Sequence, residues 1–162
     1  GFHRLKRDPT MRTEGSIEID RPIDEVFRLT SENVSAWSLI VVEDEPIETK
    51  PEGVGSTFRT VTMDRGQKME FEGVVTRFEP PRFHSIEMTG SMFDLEVEYS
   101  FEDLGGRTRV TQVSIVHPKG FTKVVLFLFG WAMNKANCRA LDKEFQSLKK
   151  FCESPSESQS VE

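Results

Sequence analysis

Phe93-Asp94-Leu95-Glu96-Val97-Glu98-Tyr99-Ser100-Phe101 is the stretch on which the fold turns: every odd position is apolar and every even one polar. Successive side chains of a strand point to opposite faces, so this segment has one dry face and one wet face. Further strand candidates surround it at residues 57–63, 68–78, 82–89 and 107–117, with the segment itself spanning 92–102. The breaks between them are Asp64-Arg65-Gly66, Glu79-Pro80-Pro81, Gly90-Ser91 and Asp103-Leu104-Gly105-Gly106. Connections this short between successive strands predict hairpins and an antiparallel meander.

Upstream, residues 14–20 read as a first strand. Pro22 then opens a short helix, with Asp24 and Glu25 at its positive end and Val26, Phe27 and Leu29 apolar. A second short helical segment covers 32–37. A strand at 39–48, rich in β-branched residues, is interrupted by Pro46 and followed by the turn Pro51-Glu52-Gly53-Val54-Gly55. Downstream, Pro118-Lys119-Gly120 ends the sheet. Residues 122–153 lack proline, and Phe127, Trp131, Asn134, Cys138, Leu141, Phe145, Leu148 and Cys152 recur at steps of four and three, the spacing of one helix face. The fold class is α+β: a curved antiparallel sheet of about seven strands around one long C-terminal helix, with two short helices after the first strand. A sheet with a single dry face must curl over that helix to bury it, and the concave space is wider than a helix fills.

Composition narrows the function. The 162 residues hold 36% hydrophobic and 30% charged residues, a balance suited to one globular domain. The formal net charge is −6, and residues 1–10 contribute Arg4, Lys6 and Arg7 against Asp8, so the remaining body is more acidic still. That argues against nucleic acid as a partner. Residues 1–11 read as an upstream extension or expression remnant, 12–153 as the domain, and the Ser- and Glu-rich 154–162 as a disordered tail. Cys138 and Cys152 are fourteen residues apart on one helix, roughly 21 Å and too far for a disulfide. Two free thiols suit a cytoplasmic setting, and no apolar run is long enough for a transmembrane segment.

Three local patterns then carry a resemblance. The first is Ile17-Glu18-Ile19-Asp20-Arg21-Pro22-Ile23-Asp24-Glu25-Val26-Phe27 followed by Trp37; the second is Pro51-Glu52-Gly53-Val54-Gly55-Ser56-Thr57-Phe58. The third pairs Glu79-Pro80-Pro81-Arg82 with the Gly105–Thr111 turn and strand. In this order the chain resembles the SRPBCC superfamily, the START-like or helix-grip group, over roughly residues 13–152, and most of all its polyketide cyclase/dehydrase branch. The resemblance implies a cavity between sheet and final helix and implies fold more reliably than reaction.

The expected occupant is a small, largely hydrophobic molecule lined by Trp37, Phe58, Phe71, Leu95, Val97, Tyr99, Phe127, Trp131 and Asn134. Thirteen Phe against a single Tyr fit either a dense core or an apolar lining. Candidates for proton transfer are His84, Tyr99 and Asn134, the amide being the one strongly polar residue of the helical stripe. Each has a plain structural alternative: a bonded core histidine, a core phenol, an amide held by backbone or water. Glu70, Glu72, Glu96 and Glu98 alternate with apolar neighbours and are expected on the wet face. The histidines His3, His84 and His117 lack the spacing of a metal site, and no cofactor is expected. Two rival functions remain: a cyclase or dehydratase using the same cavity, and a protein-interaction module of the chaperone-activator type. The latter would use the run from Val124 to Met133, apolar on all sides, which a loop, a second subunit or a membrane surface would cover or which frames the cavity mouth; burial under the two short helices and the Gly53 loop explains it equally well.

Overall fold

The computed structural model describes residues 10–154. Expectations for 1–9 and 155–162 lie outside the described residues. The elements run β1 (Met11–Ile19), α1 (Ile23–Glu32), α2 (Val34–Trp37), β2 (Val41–Glu48), β3 (Thr57–Asp64), β4 (Gln67–Glu79), β5 (Phe83–Thr89), β6 (Phe93–Asp103), β7 (Thr108–Pro118) and α3 (Phe121–Glu153). The boundaries follow the local signals. Pro22 sits in extended backbone immediately before α1, with Asp24 and Glu25 in the first turn. The strand around Pro46 survives with shifts in its pairing to β3. β1 starts at Met11, three residues before the alternation becomes visible in sequence, and Met11 itself is buried.

All seven strands form one antiparallel sheet in the order β1-β7-β6-β5-β4-β3-β2. The meander predicted from the short turns is therefore complete, and β1 adds to its far end beside β7. That leaves β1 and β2, adjacent strands in the sequence, at opposite edges. The chain crosses between them through α1 and α2.

One core fills the space beneath these helices. Ile19, Val26, Phe27, Leu29, Trp37, Phe101, Val110, Leu141, Phe145, Leu148 and Cys152 make a single buried cluster. The α1 ring of Phe27 meets Phe101 edge-on, with centroids 5.0 Å apart, and lies 5.7 Å from Phe78. α3 packs chiefly along β1 and less on β7. Gly15 permits that approach, because a Cβ there would stand 2.9 Å from Leu141 Cδ2. The long helix thus covers the edge of the sheet and leaves the middle strands to be covered by other means.

α3 is not one straight rod. Phe129 has non-helical backbone angles (φ −126°, ψ 17°) immediately before Gly130. A glycine at that point lowers helix propensity and is a recognised cause of a kink.

Candidate functional site

Strand pairing assigns the inner face residue by residue, since directly opposed residues share a face. One row across the sheet reads Gly15, Gln112, Tyr99, His84, Phe78. The next is Thr13, Ser114, Val97, Ile86, Val75. A third is Met11, Val116, Leu95, Met88, Gly73, Phe58. The opposite face carries the charges. Arg59 bridges Glu43 and Glu70 at 3.1 and 2.6 Å, Arg109 bridges Glu18 and Glu102, and Glu96 meets His117. Glu70 and Glu96 therefore stand on the wet face, as the alternation predicts.

The inner rows are not uniformly covered. Residues beneath α1 and the C-terminal half of α3 are buried: Ile19, Phe101, Val110. In the middle of the sheet Val97 is buried, whereas Val75, Ile86, Met88, Leu95, Tyr99, Gln112, Ser114 and Val116 face the same side yet are only half-buried. Apolar side chains on the core side of a sheet that remain accessible mark a stretch of inner face that α3, packed along β1, does not cover: an open hollow beside the helix. Thr13, Gln112, Ser114 and the Tyr99 hydroxyl have no side-chain hydrogen-bond partner among the described residues. They form a polar strip along an otherwise apolar floor.

Three titratable groups stand where the hollow meets the core. His84 Nδ1 lies 3.0 Å from the Ser31 hydroxyl, and its ring is perpendicular to Phe78 at 5.5 Å. Burial pushes its pKa down to about 4, so the imidazole is neutral at neutral pH. Tyr99 packs against the core cluster, and burial, reinforced by the negative charge of Glu144, raises its phenol above the ordinary range. Glu144, on α3, accepts hydrogen bonds of 2.8 Å from the Ser38 hydroxyl and the Leu39 backbone N–H. Desolvation raises its carboxyl pKa, and the bonds from Ser38 and Leu39 oppose the shift. At the far edge, Asp44 accepts a 2.6 Å bond from Thr60, and desolvation raises its pKa too.

The sequence-predicted lining divides. Phe58, Phe71, Leu95, Val97 and Tyr99 lie on the inner face. Phe58 points its ring tip at Gly73, where any Cβ would clash with it, and the Phe71 ring is tilted against Phe93 with centroids 5.6 Å apart. Trp37 is placed elsewhere: it belongs to the core, its indole N–H donating to the Thr30 carbonyl at 3.3 Å while Ser147 bonds its own carbonyl. Phe127, Trp131 and Asn134 are also corrected. They are exposed, Phe127 to 83% and Trp131 to 76%. Counting back from Leu141, a step of four leads to Asn137 and Met133, which are half-buried, whereas a step of three leads to exposed Cys138 and Asn134. Asn137, not Asn134, reaches Met11, its amide 3.8 Å from the Sδ. The choice is a rotation of about 100° on the helix, which a single stripe of spacings does not resolve.

Sequence reasoning also missed Gln112 and Ser114, because β7 carries Val113 and Ile115 on its outer face and no clean alternation betrays which side is inside. Glu144, three residues after Leu141 and four before Leu148, stands beside the buried stripe, a position its charge does not announce. Two surface depressions, of about 460 and 380 Å³, lie outside this hollow, one against the outer side of α3 around Leu39 and Gln146, the other around Val74 and Glu87.

An open antiparallel sheet gripping a long C-terminal helix beside a partly filled hollow defines the helix-grip, START-like class. Within that class the chain belongs to the polyketide cyclase / dehydrase and lipid transport family, whose model matches residues 10–153. No curated protein sequence matches it. Among solved structures, a START superfamily protein from Mycobacterium smegmatis is similar, with a TM-score of 0.76 at 16% identity over 88% of this chain and 97% of that one. A protein from Thermus thermophilus gives 0.74 at 17% identity over 92% and 100%. The Zhui aromatase/cyclase from Streptomyces sp. R1128 gives 0.72 at 13% identity over 91% and 99%. At these identities the likeness is one of fold. No helix among the described residues is long and apolar enough to cross a membrane.

Proposed function

We propose that the protein binds a small, largely hydrophobic molecule in the hollow between the inner face of β4–β7 and α3, in a reducing, cytoplasmic setting. The observation that carries the reading is the half-burial of Ile86, Met88, Leu95 and Val116 on the side of the sheet that faces the core. Apolar contact with this floor contributes about 25 cal/mol per Å² buried. Tyr99, Gln112 and Ser114 supply a donor and adaptable polar partners that orient a carbonyl or hydroxyl group. Met133 and Asn137 approach from α3 in place of Trp131 and Asn134.

The enzymatic alternative, a cyclase or dehydratase, is favoured by one observation: His84, Tyr99 and Glu144 border the same hollow. Acid–base catalysis needs a group that changes protonation near the working pH. A histidine near pKa 4 and a phenol held above its usual range do not do so, which leaves Glu144 alone. Binding with a hydrogen-bond-donating phenol is therefore the better reading.

The test is saturable binding of an environment-sensitive apolar dye, measured by fluorescence titration. Leu95→Trp plugs the floor and is expected to weaken binding at least about tenfold, while the urea midpoint moves little. A dye that does not saturate, or that binds Leu95→Trp as well as the parent, overturns the reading.

A further inference from the structure

The N-terminal half of α3 carries a surface with no role in the hollow. Phe121, Val124, Leu128 and Trp131 follow at steps of three and four, with Phe127 beside them, and all five are exposed, Phe121 to 77%, Phe127 to 83% and Trp131 to 76%. Beyond the bend at Phe129, Lys135 and Arg139 follow Trp131 at steps of four and are exposed, and Lys123 stands near the start of the helix. None of these three cations has an ion-pair partner among the described residues. From Leu104 through Leu141 the chain contains no Asp or Glu, although its net charge is −6. The Lys119 backbone N–H donates to the Met92 carbonyl at 3.0 Å, so the β5–β6 loop and its exposed Met92 join the same end.

An apolar tip, a tryptophan at its border and three unpaired cations form a graded surface, with Asp94 at this end already paired to Lys119 at 2.9 Å. A protein partner would be expected to offer carboxylates in fixed places; a bilayer offers hydrocarbon below and phosphates above, in that order. Aromatic and aliphatic side chains enter the acyl boundary, tryptophan favours the interface itself, and each lysine or arginine near an anionic surface adds attraction. We infer that this face docks on an anionic lipid bilayer, with Phe121, Val124, Phe127, Leu128 and Trp131 inserted and Lys123, Lys135 and Arg139 at the phosphates. The inference does not depend on what the hollow binds.

The test uses the full chain with phosphatidylcholine vesicles, alone and mixed with phosphatidylglycerol. Trp37 is buried and Trp131 exposed, so the emission change on vesicle addition reports Trp131, with Trp131→Phe as the reference for Trp37. The expected result is co-sedimentation with the anionic vesicles at least about tenfold stronger than with the neutral ones, accompanied by a blue shift. Replacing Lys123, Lys135 and Arg139 together by Gln removes the preference for anionic vesicles. Phe127→Ser with Leu128→Ser removes binding altogether, and both variants keep the parent urea midpoint because these side chains are exposed. Absence of sedimentation with anionic vesicles overturns the inference. So does a Trp131 shielded from acrylamide in dilute, vesicle-free protein, which means the chain covers its own face. A concentration-dependent dimer abolished by Leu128→Ser overturns it in favour of a second copy.

Discussion

The two halves of α3 both carry large apolar side chains, and those side chains lead opposite lives. From Leu141 to Cys152, its large apolar side chains interlock with Gly15, Ile19, Phe27 and Val110 in one core. Between Phe121 and Trp131 Leu126 is buried, but Phe121, Val124, Phe127, Leu128, Phe129 and Trp131 stand in solvent. The sheet beneath repeats the contrast, since Phe101 and Val110 are sealed while Leu95 and Val116, on the same face, stay half-open. The size of the apolar side chains does not separate the two ends; what covers them does. α1 and α2 cross between the edge strands over one end only, so that end becomes a core and the other a hollow with an uncovered helix above it.

The contrast between the two halves should be largest at a single ring. Phe145→Ala removes a side chain that is 2% exposed and should cost about 3–5 kcal/mol in urea denaturation. Phe127→Ala should stay within about 0.5 kcal/mol of the parent. Equal losses would mean that the two halves are packed alike.

The closed end should also be the acid-sensitive one. His84 carries a folded-state pKa of about 4 against 6.5 when unfolded. Between those values the unfolded chain binds more protons, so this contribution is fully present above pH 6.5 and is lost as pH falls through 4. The difference is worth about 3 kcal/mol. His84→Gln should flatten that part of the stability–pH curve relative to the parent; identical slopes would place His84 in water.

The two cysteines mark the halves chemically. Cys138 is exposed, whereas Cys152 is buried and its thiol is pushed up to about 12 by burial and by nearby Glu25 and Glu153. A thiol reagent at neutral pH should label Cys138 at once and Cys152 at least about a hundredfold more slowly, through opening of the C-terminal half. The smallest effect lies at the junction. A Cβ on Gly130 would meet only Leu126 Cδ1, at 3.6 Å, so Gly130→Ala should raise stability by about 0.5–1 kcal/mol in thermal unfolding. It would also show whether straightening the helix alters dye binding.

Several of these features were legible in the chain and several were not. The order of elements could be read because turns announce themselves locally, as in Asp64-Arg65-Gly66 and Glu79-Pro80-Pro81, and because β6 alternates without a fault. The inner placement of Phe58, Phe71, Leu95, Val97 and Tyr99 followed from the same period of two. β7 hid its inner Gln112 and Ser114 behind outer Val113 and Ile115, because a strand with mixed residues on both faces does not declare its sides. Trp37 looked like lining and is core, since its burial depends on Thr30 and Ser147, seven and 110 residues away in the chain.

Local periodicity, then, sufficed for the elements and the antiparallel meander, and three short motifs carried the resemblance to the family, because each of those depends on residues a few positions apart. Where the long helix lies, which way its first half turns after the bend at Phe129, and whether the space beside it is filled were decided only in three dimensions. Those outcomes depend on side chains distant in sequence competing for the same volume, and a rotation of one position on a helix exchanges a buried face for an exposed one.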